Sequence, residues 1–123
     1  MTAKRVLIAE DEPHIVESLR FILSREGYDV ADAADGEAAW DSLDAAPPDV
    51  LILDVMLPRL NGFDLLRRLR ADPRAAALPV IVLTAKGQEQ DRRTALAAGA
   101  DAFITKPFSN RDVVEHVRRF AEP

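Results

Sequence analysis

Short apolar runs alternate along this chain with stretches whose apolar residues recur at helical spacing. The first run occupies 6–9. Pro13 then stands where the first turn of a helix tolerates proline, and Ile15, Val16, Leu19, Ile22 and Leu23 line one helical face before Gly27 ends it. Residues 28–33 alternate more, the pattern of a weaker strand at a sheet edge. Asp35-Gly36 opens a second helix through Ala38, Ala39 and Leu43, and Pro47-Pro48 closes it. Residues 50–53 are continuously hydrophobic, as a central strand buried on both faces requires. A loop over 56–62 leads to a helix with Phe63, Leu66 and Leu69 on one side and Arg67, Arg68 and Arg70 largely on another. A fourth strand follows at 80–83, an alanine-rich helix at 88–98 ended by Gly99, and a fifth strand at 102–104. Ser109 is a suitable N-cap for the last helix, whose core stripe is Val113, Val114, Val117 and Phe120.

Strands that alternate with helices, without hairpin signals, predict an α/β fold with a parallel sheet and right-handed crossovers. No linker, internal repeat or low-complexity segment interrupts the pattern, so the 123 residues are expected to form one domain, 1–123, around one sizeable core. Composition is that of an ordinary globular protein, 48% hydrophobic and 30% charged. Charge narrows the function: 16 basic against 21 acidic side chains leave −5, which argues against nonspecific nucleic-acid binding by this chain. With no cysteine, thiolate metal sites and thiol nucleophiles are excluded. The apolar runs are far too short for a membrane span and the N-terminus lacks a signal-peptide pattern, so a cytoplasmic location is expected.

The polar residues that terminate the apolar runs carry the candidate chemistry. These are Glu10-Asp11, Asp54, Thr84 and Lys106-Pro107. In open α/β sheets ligands sit at the carboxyl ends of the strands, where all of these fall. Crowded carboxylates repel one another unless a cation joins them. Mg²⁺, with Mn²⁺ as the alternative, suits an oxygen-only donor set: Asp11 and Asp54 directly, the Met56 backbone carbonyl as a third donor, Glu10 through a bound water. A carboxylate such as Asp54 is a known kind of nucleophile toward phosphorus, and phosphoryl transfer depends mostly on positioning and charge stabilisation. Lys106 and Thr84 would then meet phosphoryl oxygens, the small Ala85 would allow close approach, and the Lys106–Pro107 bond is a candidate for the cis form. Singly, each residue has a plainer reading: Asp54 a turn residue, Thr84 a strand end, Glu10-Asp11-Glu12 a solvated run, Lys106-Pro107 a loop. Their joint placement outweighs those readings.

Over its whole length the sequence resembles the receiver domains of bacterial two-component response regulators. The residues that carry the resemblance are Ile8-Ala9-Glu10-Asp11-Glu12, Leu53-Asp54-Val55-Met56-Leu57-Pro58 with Asn61-Gly62, Leu83-Thr84-Ala85, and the stretch 99–108 around Phe103 and Lys106-Pro107. The resemblance implies a flavodoxin-like, doubly wound fold of five βα units with strand order 2-1-3-4-5. It implies Asp54 as phosphoacceptor, Asp11 as principal metal ligand with Glu10 as its partner, Thr84 and Lys106 as the phosphate-sensing pair, and Phe103 as the aromatic switch. Phosphorylation by a sensor histidine kinase or a histidine phosphotransfer protein would draw Thr84 inward. The Phe103 ring would then turn into the vacated space, changing the face of the fourth helix, fifth strand and fifth helix that meets a downstream protein or a second copy. Two positions depart from common usage: Glu10 where many relatives have aspartate, so altered metal affinity is expected, and Phe103 where tyrosine is also common.

Other features are read as structural. His14 and His116 lie apart from any ligand cluster, Trp40 packs on the second helix, and Arg67, Arg68, Arg70, Arg118 and Arg119 form solvated faces. Lys86 and Met56 border the site and are placed to tune access of hydrolytic water. A haloacid-dehalogenase-like phosphohydrolase would want an acid at position 56, which is Met. A nucleotide or flavin carrier would want a Gly- or Ser/Thr-rich loop where Glu10-Asp11-Glu12-Pro13 stands. A stand-alone receiver is the expectation, with the N-terminal receiver of a larger DNA-binding transcriptional regulator as the alternative.

Overall fold

The computed structural model describes residues 3–85 and 88–122; Lys86, one of the two site-bordering residues named above, lies outside them. Elements alternate strictly: β1 (Arg5–Ala9), α1 (Pro13–Arg25), β2 (Asp29–Ala33), α2 (Gly36–Ala45), β3 (Val50–Asp54), α3 (Gly62–Ala71), β4 (Val80–Ala85), α4 (Glu89–Ala98), β5 (Ala102–Lys106) and α5 (Asn110–Ala121). The strands form one parallel sheet in the order β2-β1-β3-β4-β5, with the weakly apolar β2 at an edge. The fold is the flavodoxin-like, doubly wound one expected.

Side chains on successive strand residues point to opposite faces, so each strand feeds two cores. Leu51 and Leu53 pack with Ala39, Leu43, Leu65, Leu66, Leu69 and Ala95 from α2, α3 and α4. Val50 and Ile52 pack on the other face with Leu19, Ile22, Leu23, Val113 and Val117 from α1 and α5. All five residues of β3 are buried, the consequence of lying at the centre with helices on both sides.

Helix starts follow local chemistry. Asp35, Asn61 and Ser109 accept from the amides of Ala38, Asp64 and Asp112 at 2.8, 3.0 and 3.1 Å, and Glu12 caps α1 through His14 N at 3.1 Å. Helix α4 differs. Gln88 makes no side-chain cap bond there, and Ala95 is its one buried residue, while Gly99 closes it in the left-handed region at φ 106°.

One arginine departs from expectation. Arg70 is not part of a solvated face: its side chain is only 20% exposed. Its guanidinium donates to the carbonyls of Gly99 (3.0 Å), Leu78 (2.7 Å) and Ala76 (3.2 Å) and to Asp101 Oδ2 (2.9 Å). It thereby joins the end of α3, the α3–β4 connection and the α4–β5 connection. Arg67 stays exposed beside Asp64, and Arg68 lies over the Trp40 ring at 5.0 Å. His14 is exposed and the His116 Nδ1 meets the Asp112 carbonyl within α5.

Candidate functional site at the carboxyl ends of the strands

Parallel pairing brings the polar strand endings to one edge. Asp54 is the last residue of β3 and pairs with Leu83, so Thr84 lies one step beyond it on β4. Lys106 ends β5 opposite Ala85, and Glu10 follows β1, its amide donating to Ala33 O at 3.0 Å. The β3–α3 connection reaches this edge tightly. A Cβ on Gly62 would sit 2.5 Å from the Asp54 carbonyl oxygen, and one on Gly36 1.6 Å from the Leu60 carbonyl oxygen, so neither position admits a side chain without movement of backbone. Arg59, at φ 67°, reaches back to Asp35 and Glu37 at 3.7 and 3.6 Å.

The carboxylate oxygens of Glu10, Asp11 and Asp54 lie within 4.8 Å of one another. Glu10 is 1% and Asp54 5% exposed, while Asp11 faces solvent. Lys106 Nζ bridges the two buried acids, 2.8 Å from Glu10 Oε1 and 3.3 Å from Asp54 Oδ2. The second oxygen of Glu10 accepts from the Asp11 and Glu12 amides at 2.9 and 3.3 Å, and Asp54 Oδ1 accepts from Met56 N at 3.0 Å. The Met56 side chain is 73% exposed at the rim. Ala85 and Pro107 are exposed, and the Lys106–Pro107 bond is cis.

Burial, together with the Asp54 carboxylate, lifts the Glu10 carboxyl to about 7 in spite of Lys106. For Lys106 burial acts downward, but the hydrogen bond to Glu10 and the charge of Asp54 outweigh it, so the ammonium is held more firmly than usual. Thr84 Oγ1 is fully buried and has no hydrogen-bond partner among the described residues. A buried hydroxyl left unpaired is costly, and next to an acidic cluster it marks a place for an acceptor oxygen from outside the chain. An oxygen-only donor set beside that hydroxyl fits a hard divalent cation and an incoming oxyanion together.

Phe103 pairs with Val82 on β4, and its half-buried ring packs against the core beneath α4. The Arg92 guanidinium of α4 lies over this ring, 5.3 Å from its centroid. Sequence reasoning missed this contact, the Glu10–Lys106 ion pair and the capping role of Glu12. The Glu12-Pro13 pair at a helix start is the one local signal that could have shown the last; the other two need the strand register.

Comparison with known proteins agrees with this geometry. The profile of the family described as response regulator receiver domain matches residues 6–118. Response regulator GtcR of Aneurinibacillus migulanus is 43% identical over 116 residues, covering 94% of this chain and 47% of that protein. The phosphate regulon transcriptional regulatory protein PhoB of Escherichia coli is 38% identical over 116 residues, 94% and 51% of the two chains. The chain thus spans about half the length of the curated relatives it matches. Among solved structures, a putative response regulator from Chloroflexus aurantiacus superposes with a TM-score of 0.96 at 34% identity, covering 99% of this chain and all of that one. The receiver domain of sensor histidine kinase PA1611 from Pseudomonas aeruginosa, solved with a magnesium ion coordinated in its active-site cleft, gives 0.91 at 30% identity, again over 99% of this chain and 100% of its own. Sequence and backbone agree over nearly the full length, and the chain belongs to the response regulator receiver domains, the regulatory phosphoacceptor modules of two-component signalling.

Proposed function

We propose that the domain, taken as residues 1–123, receives a phosphoryl group on Asp54 from a sensor histidine kinase or histidine phosphotransfer protein in the cytoplasm. The observation that carries this reading is the buried Thr84 hydroxyl, without a partner among the described residues, beside the Glu10–Asp11–Asp54 cluster and Lys106. Glu10, Asp11, Asp54 and the Met56 carbonyl would hold Mg²⁺ or Mn²⁺, which when bound supplies charge neutralisation for the carboxylates and the incoming phosphoryl oxygens. A carboxylate oxygen of Asp54 forms the new P–O bond as the donor's P–N bond breaks, its electron pair staying with the departing imidazole. Lys106, held cationic, leaves its resting partners for a phosphoryl oxygen, and Thr84 Oγ1 donates to another. Ala85 leaves room for that approach, and Pro107 fixes the turn behind Lys106.

Movement of Thr84 and Phe103 then alters the α4–β5–α5 face, which binds a downstream protein or a second copy of the domain. A second reading, the receiver half of a DNA-binding regulator, is favoured by the relatives' twofold greater length and by PhoB's being a transcriptional regulator. The test is intact-protein mass after incubation with acetyl phosphate, with and without Mg²⁺, for wild type and Asp54→Ala. One phosphoryl adduct that requires both Mg²⁺ and Asp54 is expected. An adduct that persists in Asp54→Ala, or none where another receiver labels, overturns the assignment.

A further inference from the structure

Two features lie close together on one face of the sheet. Strand β4 sends Val80 and Val82 to the core beneath α4 and Ile81 and Leu83 to the opposite core. Thr84 therefore faces α4 as well. Phe103 is registered with Val82 and Thr105 with Thr84, so the Phe103 ring and the buried Thr84 hydroxyl are diagonal neighbours on adjacent strands. Diagonal neighbours on one face lie roughly 7–8 Å apart, within reach of an aromatic ring. The ring is only half-buried, so what covers it decides where it rests. Its cover is a charged one: the Arg92 guanidinium, 5.3 Å from the centroid. Arg92 is itself oriented by Glu89, whose Oε1 accepts from Nη1 at 3.0 Å one turn earlier in α4.

We infer that Arg92 is a positioning residue for the switch: its guanidinium, steered by Glu89, holds the Phe103 ring in the resting position and so opposes phosphorylation of Asp54. The inference rests on the phosphoacceptor reading above. A guanidinium over a ring at a partly exposed site favours the stacked arrangement by a factor of about two to five. If Thr84 can move inward only as the ring leaves Arg92, that factor multiplies the resting state against the phosphorylation-competent one. Arg92 touches neither the acidic cluster nor the phosphoacceptor, so its removal changes the equilibrium and leaves the reacting groups in place.

The experiment compares wild type, Arg92→Ala, Arg92→Lys, Phe103→Leu and the double variant Arg92→Ala/Phe103→Leu. Each is measured twice: by the aromatic NMR signals of Phe103 in the unphosphorylated protein, where that ring is present, and by the rate of Mg²⁺-dependent labelling with acetyl phosphate. Arg92→Ala is expected to shift the Phe103 ring signals and to label about two to five times faster. Arg92→Lys, which keeps a cation but not the planar group, should fall between. In the Phe103→Leu background the Arg92→Ala gain should vanish, because the two residues act through one contact. Unchanged ring signals with unchanged or slower labelling would overturn the inference, as would a gain that persists without the ring. If no protein labels, including wild type, the phosphoacceptor reading fails, and the ring signals still decide whether Arg92 holds Phe103.

Discussion

Replacing Arg70 with alanine should be the most costly single change among the arginines of α3, although nothing at that position reacts. The guanidinium makes charge-assisted bonds to three carbonyls at 2.7 to 3.2 Å and to Asp101 Oδ2 at 2.9 Å. With the side chain 20% exposed, water can replace part of this, so each bond is discounted toward the neutral value, and the set amounts to roughly 3 kcal/mol. Asp101 Oδ2 also accepts from Val80 N at 2.8 Å, so loss of the arginine leaves a carboxylate facing the start of β4 without its counter-charge. For a chain of 123 residues that corresponds to a fall in Tm of roughly 10 °C. Thermal and urea denaturation of Arg70→Ala, Arg70→Lys and Arg67→Ala would measure it. Arg70→Lys should recover less than half, because one ammonium cannot span three carbonyls and a carboxylate on two connections. Arg67→Ala, which loses only an exposed pair with Asp64, should stay within about 0.5 kcal/mol of wild type. Equal melting of the Arg70 and Arg67 alanine variants would refute the reasoning.

Two further outcomes follow from the charge arrangement. Tyr28 donates its hydroxyl to Glu122 at 2.7 Å, and burial together with that acid pushes the phenol up to about 12. The folded state therefore keeps a proton that the unfolded chain gives up near pH 10, so this contribution is present below pH 10 and is lost as pH rises toward 12. Tyr28→Phe should flatten that part of the stability profile, and an unaltered profile would count against it. Removing Lys106 leaves Glu10 and Asp54 buried side by side without their ammonium. Lys106→Ala should melt earlier than wild type in the absence of metal at pH 8 and gain more from added Mg²⁺, read as the difference in Tm; an equal or smaller gain than wild type would show that the ammonium does not balance these acids.

Much of this was legible in the sequence because parallel strands advertise themselves. A strand buried on both faces must be continuously apolar, so residues 50–53 and 80–83 stand out, and the polar residue that stops each run is brought to one edge by the fold. Asp54, Thr84 and Lys106 were readable for that reason. Contacts between distant segments were not. Arg70 shares a short stretch with Arg67 and Arg68, and nothing local distinguishes it; its partners lie up to 31 residues away on two other connections. Arg92 and Phe103 meet only once β5 is registered on β4. The Glu10–Lys106 pair spans 96 residues, and the sequence suggested only that both belong to the same site.

The contrast between the two ends of α4 gives the helix the mechanics of a lever. Its far end is bolted through Gly99 to Arg70, whereas its N-cap residue makes no side-chain capping bond. Ten residues of helix are about 15 Å long, so a tilt of about 10° about the Gly99 end carries the first turn about 2.5 Å while the last scarcely moves. Arg92 sits near the travelling end. The same tilt carries Arg92 about 2 Å and the buried Ala95 only about 1 Å, so the motion is largest towards the first turn, and Arg70, the arginine that looked like one more solvated charge, is the fulcrum.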